Sequence, residues 1–178
     1  MTGIPARTHF LYPSTIFASR DLYHVTTILG SCVAVCFWDP ITKAGAINHY
    51  MLPLWNGQGL ASPKFGNIAI KKTIEKMLSF GCNIINIKAK VFGGGEILET
   101  KSTPFNIGFR NVEIAQNLLD EYNIPIISAS TGGNKGRKIL FNTNTGEVKH
   151  KFILATNASQ ISNYLSTSLN LIINDEKN

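Results

Sequence analysis

Residues 32–38, CVAVCFW, constrain this chain more than any other stretch. Alternation along a strand sets Cys32, Ala34, Cys36 and Trp38 on one side and Val33, Val35 and Phe37 on the other. Both sides are apolar, so neither can be left to water. Such a strand belongs in a layered fold, covered above and below. A single domain spanning the 178 residues buries roughly 70% of its unfolded-chain surface and needs no disulfide or metal staple.

The surrounding pattern supplies the layers. Residues 22–29 (LYHVTTIL) are β-branched and read as a strand, which Gly30-Ser31 interrupts. Asp39-Pro40 starts a turn, and residues 45–52 (GAINHYML) read as the next strand, closed by Pro53. Residues 64–80 have the apolar stripe of a helix, Ile70, Ile74, Met77 and Leu78, with Gly81 as its stop. Residues 84–92 alternate as a strand with Ile85, Ile87, Ala89 and Val91 inward. A second helix is predicted over 106–122, a strand over 124–130, and a hairpin over 137–153 turning near Asn144-Thr145-Gly146. Residues 1–20 lack a clear period, apart from a short strand near 15–18. The fold class is therefore α/β (α+β), layered sheets with flanking helices. One domain is expected over 1–178, with a core of about 22–155. The spacing of Ile161, Tyr164, Leu165 and Leu169 is compatible with a docked C-terminal helix before a frayed end.

Composition narrows the function classes. No apolar run approaches the ~20 residues of a membrane span, and the first 15 residues lack the apolar core of a secretory signal. The three cysteines have no CxxC spacing and read as reduced thiols in a cytoplasm. The net charge is +6, but the lysines are scattered and no aromatic-interleaved basic run accompanies them. A solvated, mildly basic surface is expected, with an acidic protein partner as second choice and nucleic acid a distant third. No metal-ligand spacing and no complete phosphate-binding motif occur, so no cofactor or metal is expected.

Two residues stand out for chemistry. Cys36 and Cys82 fit the usual role of free cysteine as a small core hydrophobe. Cys32 follows Gly30-Ser31, where backbone N–H groups can turn toward a ligand. His49 follows it by 17 residues. An antiparallel hairpin turning over 39–43 sets His49 opposite Cys32, and neighbouring strands lie ~4.8 Å apart. A thiol with an imidazole in reach is the core of a nucleophilic cysteine site. His24 is the rival base, on the preceding strand, while His9 and His150 lie in less organised stretches and read as surface residues. A third group normally orients the imidazole. Asp21, Asp39, Thr26 and Thr27 are near enough in sequence to be considered.

The stretches LGSCVAVCFWDP and GAINHYMLP, then KFGNIAI, KVFGGGEIL, NIGFRNVEIA and STGGNKGRKILFNTNTGEV, in that order, resemble the chemoreceptor glutamine deamidase family, CheD. The resemblance covers roughly residues 22–150. It implies a fold akin to bacterial toxin deamidases and a catalytic Cys, His and Thr. Carried over, these are Cys32, His49 and a threonine just upstream; Thr26 is preferred for its strand parity with Cys32, with Thr27 as the alternative. Gly30 and Ser31 would give backbone support to the oxyanion. The chain departs from the family at Asn67, where Asp is frequent, and at Phe65, where Tyr is common. The resemblance also implies hydrolysis of glutamine side chains on methyl-accepting chemotaxis proteins, a CheC-type phosphatase as a regulatory partner, and a cytoplasmic setting. The competing reading is a non-catalytic adaptor that binds receptors or the phosphatase.

Overall fold

The computed structural model describes residues 6–96 and 106–153. The C-terminal helix expected after residue 155 lies outside the described residues. In chain order the elements are β1 (Arg7–Phe10), β2 (Thr15–Ser19), β3 (Tyr23–Leu29), β4 (Val33–Asp39), β5 (Ala44–His49), α1 (Gly66–Ser79), β6 (Lys88–Gly93), α2 (Ile107–Glu121), β7 (Ile126–Thr131), β8 (Gly136–Asn142) and β9 (Val148–Ile153).

The strands form two sheets. One has the order β1-β3-β8-β9 and the other β2-β5-β4-β6-β7. β4 is the central strand of the five-stranded sheet, and its two apolar sides explain the three layers. On one side Ala34 and Cys36, with Ile47 and Phe92, pack against Val25, Leu29, Ile139 and Phe141 of the four-stranded sheet. On the other side Val33, Val35 and Phe37 pack against Ala69, Ile70, Ile74 and Met77 of α1 and Ala115 and Leu119 of α2. Burying a side chain such as Phe37 completely contributes about 1.5–3 kcal/mol, so β4 alone ties both interfaces together.

Two expectations changed. Residues 84–86 form a 3-10 turn, with the Asn83 side chain accepting from the Ile85 amide; Ile85 is exposed, and only Ile87, Ala89 and Val91 point inward. Residues 7–10, which lack an obvious period, supply β1; the strand expected near 15–18 is present as β2, and the connection between them buries Leu11 completely. His9 and His150 lie on strands, His9 half-buried against Phe17 and His150 exposed. The β6–β7 pair is parallel, so its connection crosses over through α2.

The β4–β5 hairpin has a register that matters for the site. Asp39 pairs with Ala44 and Cys36 with Ile47, and the pairing resumes at Val33–Tyr50. Position 49 therefore falls across from Ala34 rather than Cys32, two residues from the expected register. A shift of two preserves the face: Cys32 and His49 remain on the side that meets the four-stranded sheet. The turn sets the shift. The Asp39 carboxylate accepts from the amides of Ile41 and Thr42, and Lys43 adopts a left-handed conformation, which centres the turn later than the composition suggests.

Candidate active site

Cys32 sits just before β4, where the chain passes from one sheet to the other. The carbonyls of the three residues around it are all taken. Gly30 accepts from the Gly95 amide at 2.8 Å, Cys32 from the Gly94 amide at 2.8 Å, and Ser31 from the Asn111 side-chain Nδ2 at 2.9 Å. The peptides are trans. With these carbonyls pinned, the N–H bonds of Ser31 and Cys32 point the opposite way. Ser31 is exposed while Cys32 is 7% exposed, so the sulfur lies immediately beneath the surface.

The glycine-rich loop after β6 supplies two of those donors at close range. Gly93 has φ +109°, and a Cβ there would stand 2.1 Å from the Cys32 carbonyl oxygen. Only glycine permits that approach. Behind it, a Cβ on Gly108 in the first turn of α2 would meet the Gly94 carbonyl oxygen at 2.6 Å. The second glycine-rich loop closes on the first. Gly132 donates to the Gly93 carbonyl and Glu96 to that of Gly133, while the Arg137 guanidinium donates to Ser130, Gly132 and Lys135. Both loops therefore form the frame of the Cys32 turn.

His49 ends β5 and is 1% exposed. Between Cys36–Ile47 and Val33–Tyr50 the Val35 amide donates to the Asn48 side chain at 3.0 Å. Above His49 runs the connection of residues 11–14, with Ser14 donating to the His49 carbonyl at 2.8 Å.

The hydroxyl that meets the imidazole is that of Thr27. Its Oγ1 is 2.8 Å from His49 Nδ1 and 2.7 Å from the Leu11 carbonyl oxygen. Thr26, preferred above on strand parity, lies on the opposite face of β3, half-buried, paired with Leu140. Parity failed as a guide because Thr26 and Cys32 belong to different sheets, and Gly30-Ser31 resets the alternation between them. His24 is likewise remote: it faces outward beside Asn142. Neither Asp21 nor Asp39 is hydrogen-bonded to His49; Asp39 makes the turn and Asp21 pairs with Arg7.

These contacts dictate a tautomer. A carbonyl oxygen can only accept, so the single Thr27 proton goes to Leu11. Thr27 Oγ1 must then accept from His49, which places the ring proton on Nδ1. Nε2 carries the lone pair, and it is buried with no hydrogen-bond partner among the described residues. A buried ring nitrogen left without a partner is rare and calls for an explanation. Burial pushes the His49 pKa down to about 4. Burial likewise pushes the Cys32 thiol up to about 12, against a smaller downward pull from its own backbone amide. At neutral pH both groups rest uncharged, the thiol and the imidazole alike.

Two participants gave little warning in the sequence. The Leu11 carbonyl is a backbone group and has no sequence signature. Asn111 is different: with Gly108, Ala115 and Leu119 it makes up the buried stripe of α2, a polar residue where an apolar one belongs. At the two departures, Asn67 accepts from the Trp55 amide through its side-chain oxygen, a role Asp would also fill, and Phe65 is the N-cap of α1. Among the described residues no cluster of His, Cys, Asp and Glu is gathered as metal ligands would be.

A mixed α/β fold of two sheets and two helices, with a buried Thr27–His49 pair and a buried cysteine near the switch between the sheets, defines the class of protein. The family model described as CheD chemotactic sensory transduction matches residues 51–152, and the chain belongs to that family. It is 47% identical over 146 residues to a protein of Trichlorobacter lovleyi named as a probable chemoreceptor glutamine deamidase CheD, covering 82% of this chain and 91% of that one. A Sulfurimonas denitrificans protein of the same name is 41% identical, covering 83% and 95%. The Thermotoga maritima chemoreceptor glutamine deamidase CheD is 39% identical over 124 residues, covering 70% and 78%. Among solved structures, the Bacillus licheniformis hypothetical protein YfiH aligns over 67% of this chain and 51% of its own at TM-score 0.45 and 16% identity, too slight a likeness to carry an argument.

Proposed function

We propose that this chain is a protein-glutamine deamidase that converts glutamine side chains of methyl-accepting chemotaxis proteins to glutamate, with Cys32 as nucleophile, His49 as base and Thr27 as the group that orients His49. The observation that carries the reading is the orphaned Nε2 of a histidine whose other nitrogen is committed to Thr27. The family relatives' names supply the substrate class.

The chemistry follows from the resting state. Both groups are neutral, so a standing thiolate–imidazolium pair is disfavoured. His49 Nε2 takes the thiol proton as the sulfur attacks the amide carbon. The oxygen of the tetrahedral adduct is met by the Cys32 N–H, turned away from Asn111 by the pinned Ser31 carbonyl. The imidazolium returns its proton to the leaving nitrogen, ammonia departs, and a thioester remains. Water then gives a proton to Nε2 and attacks the thioester, and the thiol is restored as glutamate leaves.

The setting is the cytoplasm, where receptor signalling domains lie, and no helix among the described residues is long and apolar enough to cross a membrane. A CheC-type phosphatase is the regulatory partner that the family resemblance supplies. The test is incubation with a receptor cytoplasmic fragment and mass-spectrometric search for Gln-to-Glu conversion, with Cys32→Ala and His49→Ala alongside. Conversion by the wild type alone supports the enzyme. Binding of the fragment with every glutamine intact leaves the adaptor reading in its place.

A further inference from the structure

The segments that carry Cys32 and His49 pair through backbone at Val33 and Tyr50, and one side chain from α2 bonds to both of them. Asn111, in the second turn of α2, is 0% exposed. Its Nδ2 donates to the Ser31 carbonyl at 2.9 Å and to the Met51 carbonyl at 2.9 Å. An amide nitrogen has two N–H bonds, and both are used. Both partners are carbonyls, which fixes the side chain's orientation without ambiguity. One acceptor immediately precedes Cys32, and the other lies two residues beyond His49. The Asn111 main chain is held as well, since Tyr50, next to His49, donates its hydroxyl to the Asn111 carbonyl at 2.5 Å. The Asn111 Oδ1 atom is buried without a partner among the described residues. An interior position that keeps a half-satisfied amide sacrifices stability, and the two N–H bonds are what it retains.

We infer that Asn111 is a positioning residue for the deamidation: its amide clamps the Ser31 and Met51 carbonyls together, fixes the Cys32 turn relative to the end of the His49 strand, and aims the Cys32 N–H at the oxyanion. The inference rests on the proposed reading. It concerns α2 as an element that braces the two strand-paired halves of the site, whereas the chemistry itself is done by strands and turns.

The test uses the full chain and two variants, N111D and N111S, each assayed well below its own melting temperature so that only folded enzyme is read. N111D keeps the shape and replaces both donors by acceptors facing two carbonyls. Three readouts apply: kcat and KM on a receptor cytoplasmic fragment, the pH profile of N111D, and the rate at which iodoacetamide labels Cys32, located by peptide mapping. The expected result is a kcat lowered at least about tenfold in both variants with KM within about twofold, since a substrate-binding role is absent. The N111D deficit should shrink as the pH falls, because a protonated carboxyl recovers one donor. Labelling of Cys32 should change severalfold in both variants. Folded variants with wild-type kcat and wild-type labelling overturn the inference. If the wild type itself deamidates nothing, the functional reading fails, and the labelling rates still judge the clamp: equal rates in all three proteins sink it.

Discussion

At the scale of single residues, one proton decides the site. Thr27 hands its hydrogen to Leu11 and thereby obliges His49 to donate from Nδ1. Thr27→Val removes that obligation, and kcat should fall about a hundredfold, the lower range for loss of a general base in its working form. Thr26→Val changes the outer face of the sheet and should leave kcat near wild type. Steady-state rates on a receptor fragment compare the two. The buried imidazole also leaves a mark on stability. His49 stays neutral in the folded chain down to about pH 4, while the unfolded chain protonates near 6.5. Between those values the unfolded state binds more protons, so stability rises with pH. The contribution is complete above the ordinary imidazole pKa and is lost as the pH falls toward about 4; its size is on the order of 3 kcal/mol. Urea titrations across that window should show the decline, and His49→Asn should flatten it. The sequence alone made Cys32 and His49 visible, because their shared face survives a two-residue slip in register. It did not separate Thr26 from Thr27, since strand parity has no meaning across a change of sheet.

At the scale of elements, α2 and the two glycine-rich loops hold the cysteine turn. Gly108 of α2 rests on the Gly94 carbonyl, and Gly94 in turn donates to Cys32. In an exposed helix interior, Gly→Ala is worth about 1 kcal/mol of gain. At Gly108 the sign should reverse, because backbone at 2.6 Å cannot give way as a flexible side chain would. Gly108→Ala should cost about 1–3 kcal/mol by urea unfolding and lower kcat as the loop shifts. A net gain in stability would show that the helix does not press on the loop. The glycines were legible as a site rim from their clustering after strands. Their mutual hydrogen bonds were not, since those join residues about 40 positions apart through backbone alone. The 3-10 turn at residues 84–86 escaped for a related reason: Asn83 bonding the Ile85 amide overrides an alternation that otherwise reads as strand.

At the scale of the whole molecule, β4 explains why there are three layers, and its doubly apolar pattern was plain in the sequence. The strand at residues 15–19 was legible, but β1 was not, because a four-residue edge strand is too short to set a period. The net charge of +6 acts at this scale as well. With an acidic receptor fragment as substrate, raising ionic strength should raise KM and leave kcat nearly constant, as screening weakens encounter without touching the buried site. A salt-insensitive KM would show that charge does not guide docking. The burial of Cys32 has a consequence for its survival as the proposed nucleophile. Peroxide reacts with thiolates, and a thiol with its pKa pushed up to about 12 presents almost none at neutral pH. On the proposed reading the sulfur is held as a thiol until substrate arrives, and peroxide should sulfenylate it more slowly than it does an exposed, acidic cysteine.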